Sequence, residues 1–232
     1  VFHVKQHGKS GQDAPDNAAT QAGETQGARL PLPPLPPPDA ATAARLDAFT
    51  DLLLRWTLRI NLIAERDATA IRNRHIADSL QLAPLLPPGE GPVGDLGSGG
   101  GFPGLVLAMT AHRPFHLVES DRRKAAFLTE AAARLGLDHV RVHTMRIEAV
   151  ELPPLAALTA RALAPLDDLL GHAERLLAPD GIAIFPKGRT AEDELTAARR
   201  HWTVRAERFA SRTDPDATIF RLSEIRRDGQ AN

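Results

Sequence analysis

From Asp39 onward, apolar residues return every three or four positions: Leu46, Phe49, Leu52, Leu53 and Trp56. That rhythm predicts an amphipathic helix over 40–58 with Asp39 as its N-cap. A second helix is predicted over 68–83. Ile71, His75, Ile76, Leu80 and Leu82 form its inner face, and the proline-rich APLLPPGEGP stops it. Beyond Pro92 the period changes. Short apolar runs (VGDL, FHLVES, HVRVHT, LAALTARAL, GIAIFP) alternate with helical segments (PGLVLAMTA, RRKAAFLTEAAARLG, LDDLLGHAERLLA, AEDELTAARR). Such alternation predicts a mostly parallel sheet with helices on both faces. The last two apolar runs, WTVRAERFA and ATIFRLSEI, have no helix between them, which predicts an antiparallel hairpin at one edge.

Residues 1–39 show no period and close on six prolines within Pro31 to Pro38. They are expected to form a disordered tail ending in a stiff polyproline II spacer. The remainder, 40–232, is expected to be one domain: helices over 40–90 packed on a Rossmann-like core over 91–225. A chain of 232 residues with 43% hydrophobic content can bury one such core. The net charge of −1 announces no global affinity for nucleic acid, so any RNA contact must be local. There is no cysteine, which removes disulfides and thiol chemistry. No run of eighteen apolar residues and no signal-peptide core appear, so a cytoplasmic protein with no membrane partner is expected.

The candidate chemistry centres on DLGSGGGFPG, where a strand turns into a helix. Gly99, Gly101 and Gly104 match G-x-G-x-x-G, a pattern associated with dinucleotides. Two neighbours argue against a phosphate here. Asp95, at the strand end, is expected to face the ligand and would repel an anion. Pro103 lacks the N–H that a phosphate site would use. S-adenosylmethionine (SAM), with an ammonium, a sulfonium and no phosphate, answers both objections. Side chains at Gly97, Gly99 or Gly101 would intrude on the space of such a ligand. Glu119, closing FHLVES, stands where an acid would accept hydrogen bonds from ribose hydroxyls, a need shared by SAM and NAD. An NAD-dependent oxidoreductase, a SAM enzyme of another substrate and a non-catalytic SAM-binding protein remain the alternatives.

RINLIAERD, RHIADSL, DLGSGGGFPGLVLA, VESDRRKAAFL, RIE, TARALAPLDDLL and PKG, in this order and spacing, resemble the RsmG (GidB) family of small-subunit ribosomal RNA methyltransferases. The resemblance spans about residues 45 to 222. It implies a class I SAM-dependent methyltransferase acting on nitrogen 7 of one guanine in 16S rRNA, a substrate carried by the small ribosomal subunit. Carried over to this sequence, it implies that Gly97 and Phe102 line the SAM pocket and that Ile147 and Glu148 contact its adenine end. Arg161 would stand where substrate base and cofactor meet, as the candidate catalytic residue. Ser98, Gly100 and Phe102 depart from residues common in the family.

The chemistry agrees with that implication. Methylation at a pyrimidine carbon normally needs a cysteine nucleophile, and the chain has none. Exocyclic amines are usually served by an Asp/Asn-Pro-Pro-aromatic signature, where this chain reads ARALAP. Guanine nitrogen 7 has a free in-plane lone pair and needs no base, so a silent acid–base pattern is expected. Two basic groups could track a phosphate backbone: Arg55, Arg59, Arg66, Arg72, Arg74 and His75, and Arg122, Arg123, Lys124, Lys187 and Arg189. His75 and Asp78 share a helix face, too few ligands for a metal, so no metal is expected and a packing or substrate-entry role is preferred. A monomer is the simplest assembly.

Overall fold

The computed structural model describes Val1 and residues 28–229. The first 27 residues of the expected tail, apart from Val1, therefore lie outside the described residues. The chain starts its regular structure with α1 (Ala40–Thr57), whose cap is the expected one: Asp39 accepts the Thr42 N–H at 2.7 Å. Leu46, Phe49, Leu52 and Leu53 are buried along it.

The second helical segment is not one continuous α-helix. It consists of α2 (Ala68–Ala70), a π turn (Ile71–Ile76) and α3 (Ala77–Leu80). A π turn closes its hydrogen bonds over five residues, so positions five apart stack on one side. Ile71 and Ile76 are five apart and both buried, an arrangement that a regular α-helix would split between two faces.

Seven strands form one sheet in the order β3-β2-β1-β4-β5-β7-β6. They are β1 (Val93–Leu96), β2 (Phe115–Val118), β3 (Val140–His143), β4 (Leu155–Ala160), β5 (Leu177–Lys187), β6 (Trp202–Ala210) and β7 (Thr218–Arg227). The first five pair in parallel, and β7 inserts antiparallel between β5 and β6, closing the predicted hairpin at the edge. Two-residue alternation sends side chains to two separate cores. Leu117, Ala157, Ile184 and Ile219 join α1, α4 (Gly104–Thr110) and α5 (Arg122–Arg134) on one face. Val118, Leu158, Phe185 and Phe220 join α6 (Leu166–Leu176) and α7 (Ala191–Ala198) on the other.

The described end of the proline-rich segment differs from the expected free spacer. Leu30 bridges Phe209 of β6, donating to the Arg208 carbonyl at 2.7 Å and accepting from the Ala210 N–H at 2.9 Å. Leu32 is buried, and Arg212 donates to the carbonyls of Leu32 and Pro33. The prolines hold this stretch extended, the conformation that an exposed strand edge can accept.

Candidate active site

The strand order reverses direction between β1 and β4, so the carboxyl ends of β1, β2 and β4 open onto one crevice. A cleft of 810 Å³ fills that place. Gly97 and Gly99 come from the loop after β1, Glu119 from the end of β2, Ile147 and Glu148 from a single 3-10 turn after β3, and Arg161 from the end of β4. Six residues expected at the site from sequence thus converge from four separate segments.

The glycine loop is shaped by its backbone. Gly97 and Gly99 have φ of 65° and 50°, in the left-handed region that glycine enters without strain. A Cβ at Gly99 would meet only the Gly97 carbonyl, at 3.7 Å, and otherwise stand in open cleft space, so the site has room for a ligand against this backbone. The Gly97 and Ser98 amides bond to the Val118 carbonyl at 2.9 and 3.1 Å, fastening the loop to the end of β2. Glu119, 7% exposed, completes the fastening. Its Oε2 accepts from the Gly99 N–H at 2.9 Å and its Oε1 from the Asp121 N–H at 2.8 Å. Each carboxylate oxygen keeps a lone pair for a hydroxyl in the cleft. The 3-10 turn carrying Ile147 and Glu148 is held from α6, where Arg175 donates to the carbonyls of Ile147 at 2.6 Å and Val150 at 2.8 Å.

Asp95 corrects the sequence reading. It is fully buried and does not line the cleft. Its side chain lies under the first residue of α4, where a Cβ on Gly104 would come within 2.6 Å of Oδ2. Thr159 donates to Oδ1 at 2.7 Å, while Oδ2 is left without a hydrogen-bond partner and gains only electrostatic help from the Gly104 amide. Burial pushes the carboxyl up to about 6, against the opposing pull of the Thr159 and Ser98 hydroxyls and of Arg161. Asp95 thus cannot serve as the direct partner of a ligand ammonium.

Gly101 and Phe102 are likewise absent from the cleft wall. A Cβ at Gly101 would strike the Leu105 side chain at 2.7 Å, and its φ of 88° makes it a turn residue. Phe102 is buried against Phe49, with ring centroids 5.4 Å apart, and carries two groups on its ring. His75 stacks on it at 5.0 Å and the Arg161 guanidinium lies 5.1 Å from its centroid. It borders a smaller cavity of 320 Å³ between the glycine loop and Leu62 and Ile63.

Arg161 stands at a junction. With Ala162 it lines the main cleft, that small cavity, and a third of 560 Å³ on the far side, bounded by Arg74, His75, Lys187 and Thr213. Ala162 has φ of 51°, uncommon for a residue with a Cβ, and this turn aims Leu163 back over Gly97. Arg161 Nη1 pairs with Asp78 Oδ2 at 3.2 Å. The sequence did not reveal this partner of Asp78. His75 pairs with Glu65 at 2.6 Å, which holds the Glu65 carboxyl below its usual range. Among the described residues no group of three or more His, Cys, Asp or Glu could hold a metal ion, and no helix is long and apolar enough to cross a membrane.

The sheet order β3-β2-β1-β4-β5-β7-β6, with β7 antiparallel between β5 and β6, is that of the class I, SAM-dependent methyltransferases, whereas the glycine turn after β1 and the acid closing β2 suit any adenosine cofactor. Solved structures share this fold at low identity. The O-methyltransferase from Bacillus cereus in complex with SAH gives a TM-score of 0.52 at 15% identity, covering 82% of this chain and 93% of that one. The ribosomal protein L11 methylase of Lactobacillus delbrueckii subsp. bulgaricus gives 0.51 at 18%, covering 62% and 77%. Sequence goes further than fold. The family model for rRNA small subunit methyltransferase G, GidB, matches residues 42–214, and the chain belongs to that family. A protein named ribosomal RNA small subunit methyltransferase G from Granulibacter bethesdensis is 54% identical over 186 residues, 80% of this chain and 87% of the relative. Its namesake from Acidiphilium cryptum is 56% identical over 187 residues, 78% and 85%.

Proposed function

We propose that this protein transfers a methyl group from S-adenosylmethionine to nitrogen 7 of a guanine in 16S rRNA of the small ribosomal subunit. The observation that carries this reading is Arg161, shared by a glycine-walled cleft of cofactor size and a second pocket, in a chain of the rRNA small subunit methyltransferase G family. When bound, SAM supplies an activated methyl on its sulfonium. Gly99 would let the backbone approach it, Gly97 would border it beneath Leu163, Glu119 would accept from the ribose, and Ile147 and Glu148 would border the adenine.

The acceptor nitrogen presents a lone pair in the ring plane and has no proton to lose, so the chain need supply no general base. Orientation is then the main contribution of the protein, an effect worth up to roughly 7–11 kcal/mol. Arg161 is the side chain suited to the O6 edge of the base, the commonest arginine contact to guanine.

For the phosphate backbone, ion pairing sorts the basic residues. Arg72, Arg74, Lys187 and Arg189 are paired with Asp47, Glu65, Glu194 and Asp216. Arg55 in the last turn of α1, Arg59 just beyond it and Arg122 at the start of α5 have no acidic side-chain partner among the described residues, whereas Arg123 and Lys124 act electrostatically on the capping Asp121. Trp56 packs on Phe127 with centroids 5.8 Å apart, which brings the two helices together, and Lys124 lines the cleft. A monomer in the cytoplasm fits this reading.

The test is incubation with methyl-labelled SAM and undermodified 16S rRNA, followed by mapping of the label. Label at guanine nitrogen 7 is expected, together with a loss of about tenfold or more in transfer for Arg161→Ala. Label absent from RNA would reject the substrate. Normal turnover of the variant would remove the role of Arg161.

A further inference from the structure

The acid that faces Arg161 comes from 83 residues earlier in the chain, on α3, and both of its oxygens are occupied. Oδ2 of Asp78 takes Arg161 Nη1 at 3.2 Å. Oδ1 accepts from Gln81 Nε2 at 2.7 Å and from the Thr213 hydroxyl at 2.9 Å. Gln81 is almost completely buried, at 1% exposure, and all its polar capacity is directed to this corner. Its Nε2 also donates to Ser211 at 3.1 Å and to Thr213 at 3.2 Å, and its Oε1 accepts the Arg212 N–H at 2.8 Å. The carboxylate is therefore anchored on three sides, by its own helix, by the loop between β6 and β7, and by the guanidinium.

A buried amide that spends its donors and acceptor on one loop and one acid fixes that acid in a single orientation. The second contact on the guanidinium is the Phe102 ring, 5.1 Å away, itself stacked by His75. Arg161 has several rotatable bonds, and at 20% side-chain exposure it would sample more than one direction if nothing held it. Ring and carboxylate together leave it one, at the wall common to the cofactor cleft and the far pocket.

We propose that Asp78 is a positioning residue for methyl transfer, acting through Arg161, with Gln81 as the buried hub that fixes it. This rests on the role assigned to Arg161 above. Asp78 itself contributes no proton and touches no reacting atom.

The test is a double-mutant cycle in the full chain, with kcat on 16S rRNA, SAM affinity by calorimetry and thermal melting measured for each variant. Asp78→Asn keeps the shape and loses the charge. It is expected to lower kcat about fivefold or more with SAM affinity changed by less than about twofold. In an Arg161→Ala background the same substitution is expected to change nothing further, because its target is gone. Thr213→Val, on an exposed loop, gives a milder loss of the same kind, also abolished by Arg161→Ala, and serves if Asp78→Asn melts early. A kcat loss from Asp78→Asn that persists undiminished in Arg161→Ala overturns the proposal, as does unchanged kcat in Asp78→Asn. Normal activity of Arg161→Ala alone instead overturns the underlying role of the arginine.

Discussion

Replacing Asp95 by asparagine tests whether this carboxyl is an internal group or a ligand contact. The side chain is fully buried, with one oxygen bonded to Thr159 and the other unpartnered beneath Gly104. Burial moves its pKa from 3.8 to about 6. Below the unfolded value both states are protonated. Between the two values the native state holds a proton that the unfolded state has released, so stability falls as pH rises; above about 6 the loss is complete. At about 1.4 kcal/mol for each unit of pKa, the loss amounts to ~3 kcal/mol. Urea unfolding of the wild type and Asp95→Asn across about pH 4 to 7.5 isolates the term, since every other titrating group cancels in the difference. Over that range, which starts just above the unfolded value, the wild type is expected to lose ~2.4 kcal/mol relative to the variant. A flat difference curve would show the carboxyl to be solvated, and would refute the geometry that places it under α4.

The other expectations concern the loop and the edges of the sheet. Gly104→Ala would bring a Cβ to 2.5 Å from Leu117 and 2.6 Å from Asp95, and overpacking of this kind costs about 1–3 kcal/mol, read as a lower melting temperature. Glu119→Ala frees the amides of Gly99 and Asp121, and SAM affinity by calorimetry is expected to weaken about tenfold; unchanged affinity would show that the loop holds its form unaided. His116 and His143 stack with nitrogens 2.9 Å apart, and burial, joined by the charge of Arg141, lowers both pKa values. Their folded values lie below the unfolded one, so stability is lost as pH falls below about 6.5, opposite in sign to Asp95. His116→Gln should lose less than the wild type between about pH 7.5 and 5.5 in thermal melts.

The parallel sheet, the hairpin and the cap of α1 were legible because each rests on local periodicity and on a polar group next to its target. So were the four segments that converge on the cleft, since strand ends in an alternating pattern must open to one side. Asp95 was misread although a signal existed. Val93 and Asp95 lie two apart on β1, and Val93 belongs to the core that α4 covers, so the pleat alone turns both toward that helix. The π turn had a similar signal in the five-residue spacing of Ile71 and Ile76. The pairing of Asp78 with Arg161 had none, because it depends on how α3 packs beside the end of β4. Phe102 was expected to line the SAM pocket, and it is absent from the wall of the main cleft. Its ring carries Arg161 and His75 rather than facing the main cleft.

Leu30 has a bearing on solubility. The last strand of an open sheet presents unpaired amides and carbonyls on which a strand from another molecule can grow. On β6 the Arg208 carbonyl and the Ala210 amide, on either side of the buried Phe209, are already taken from within the same chain. The stretch that guards this rim precedes residue 42, where the family match begins. Homologues without such a stretch must keep their own rims from sticking by other means, such as charge or a shorter strand.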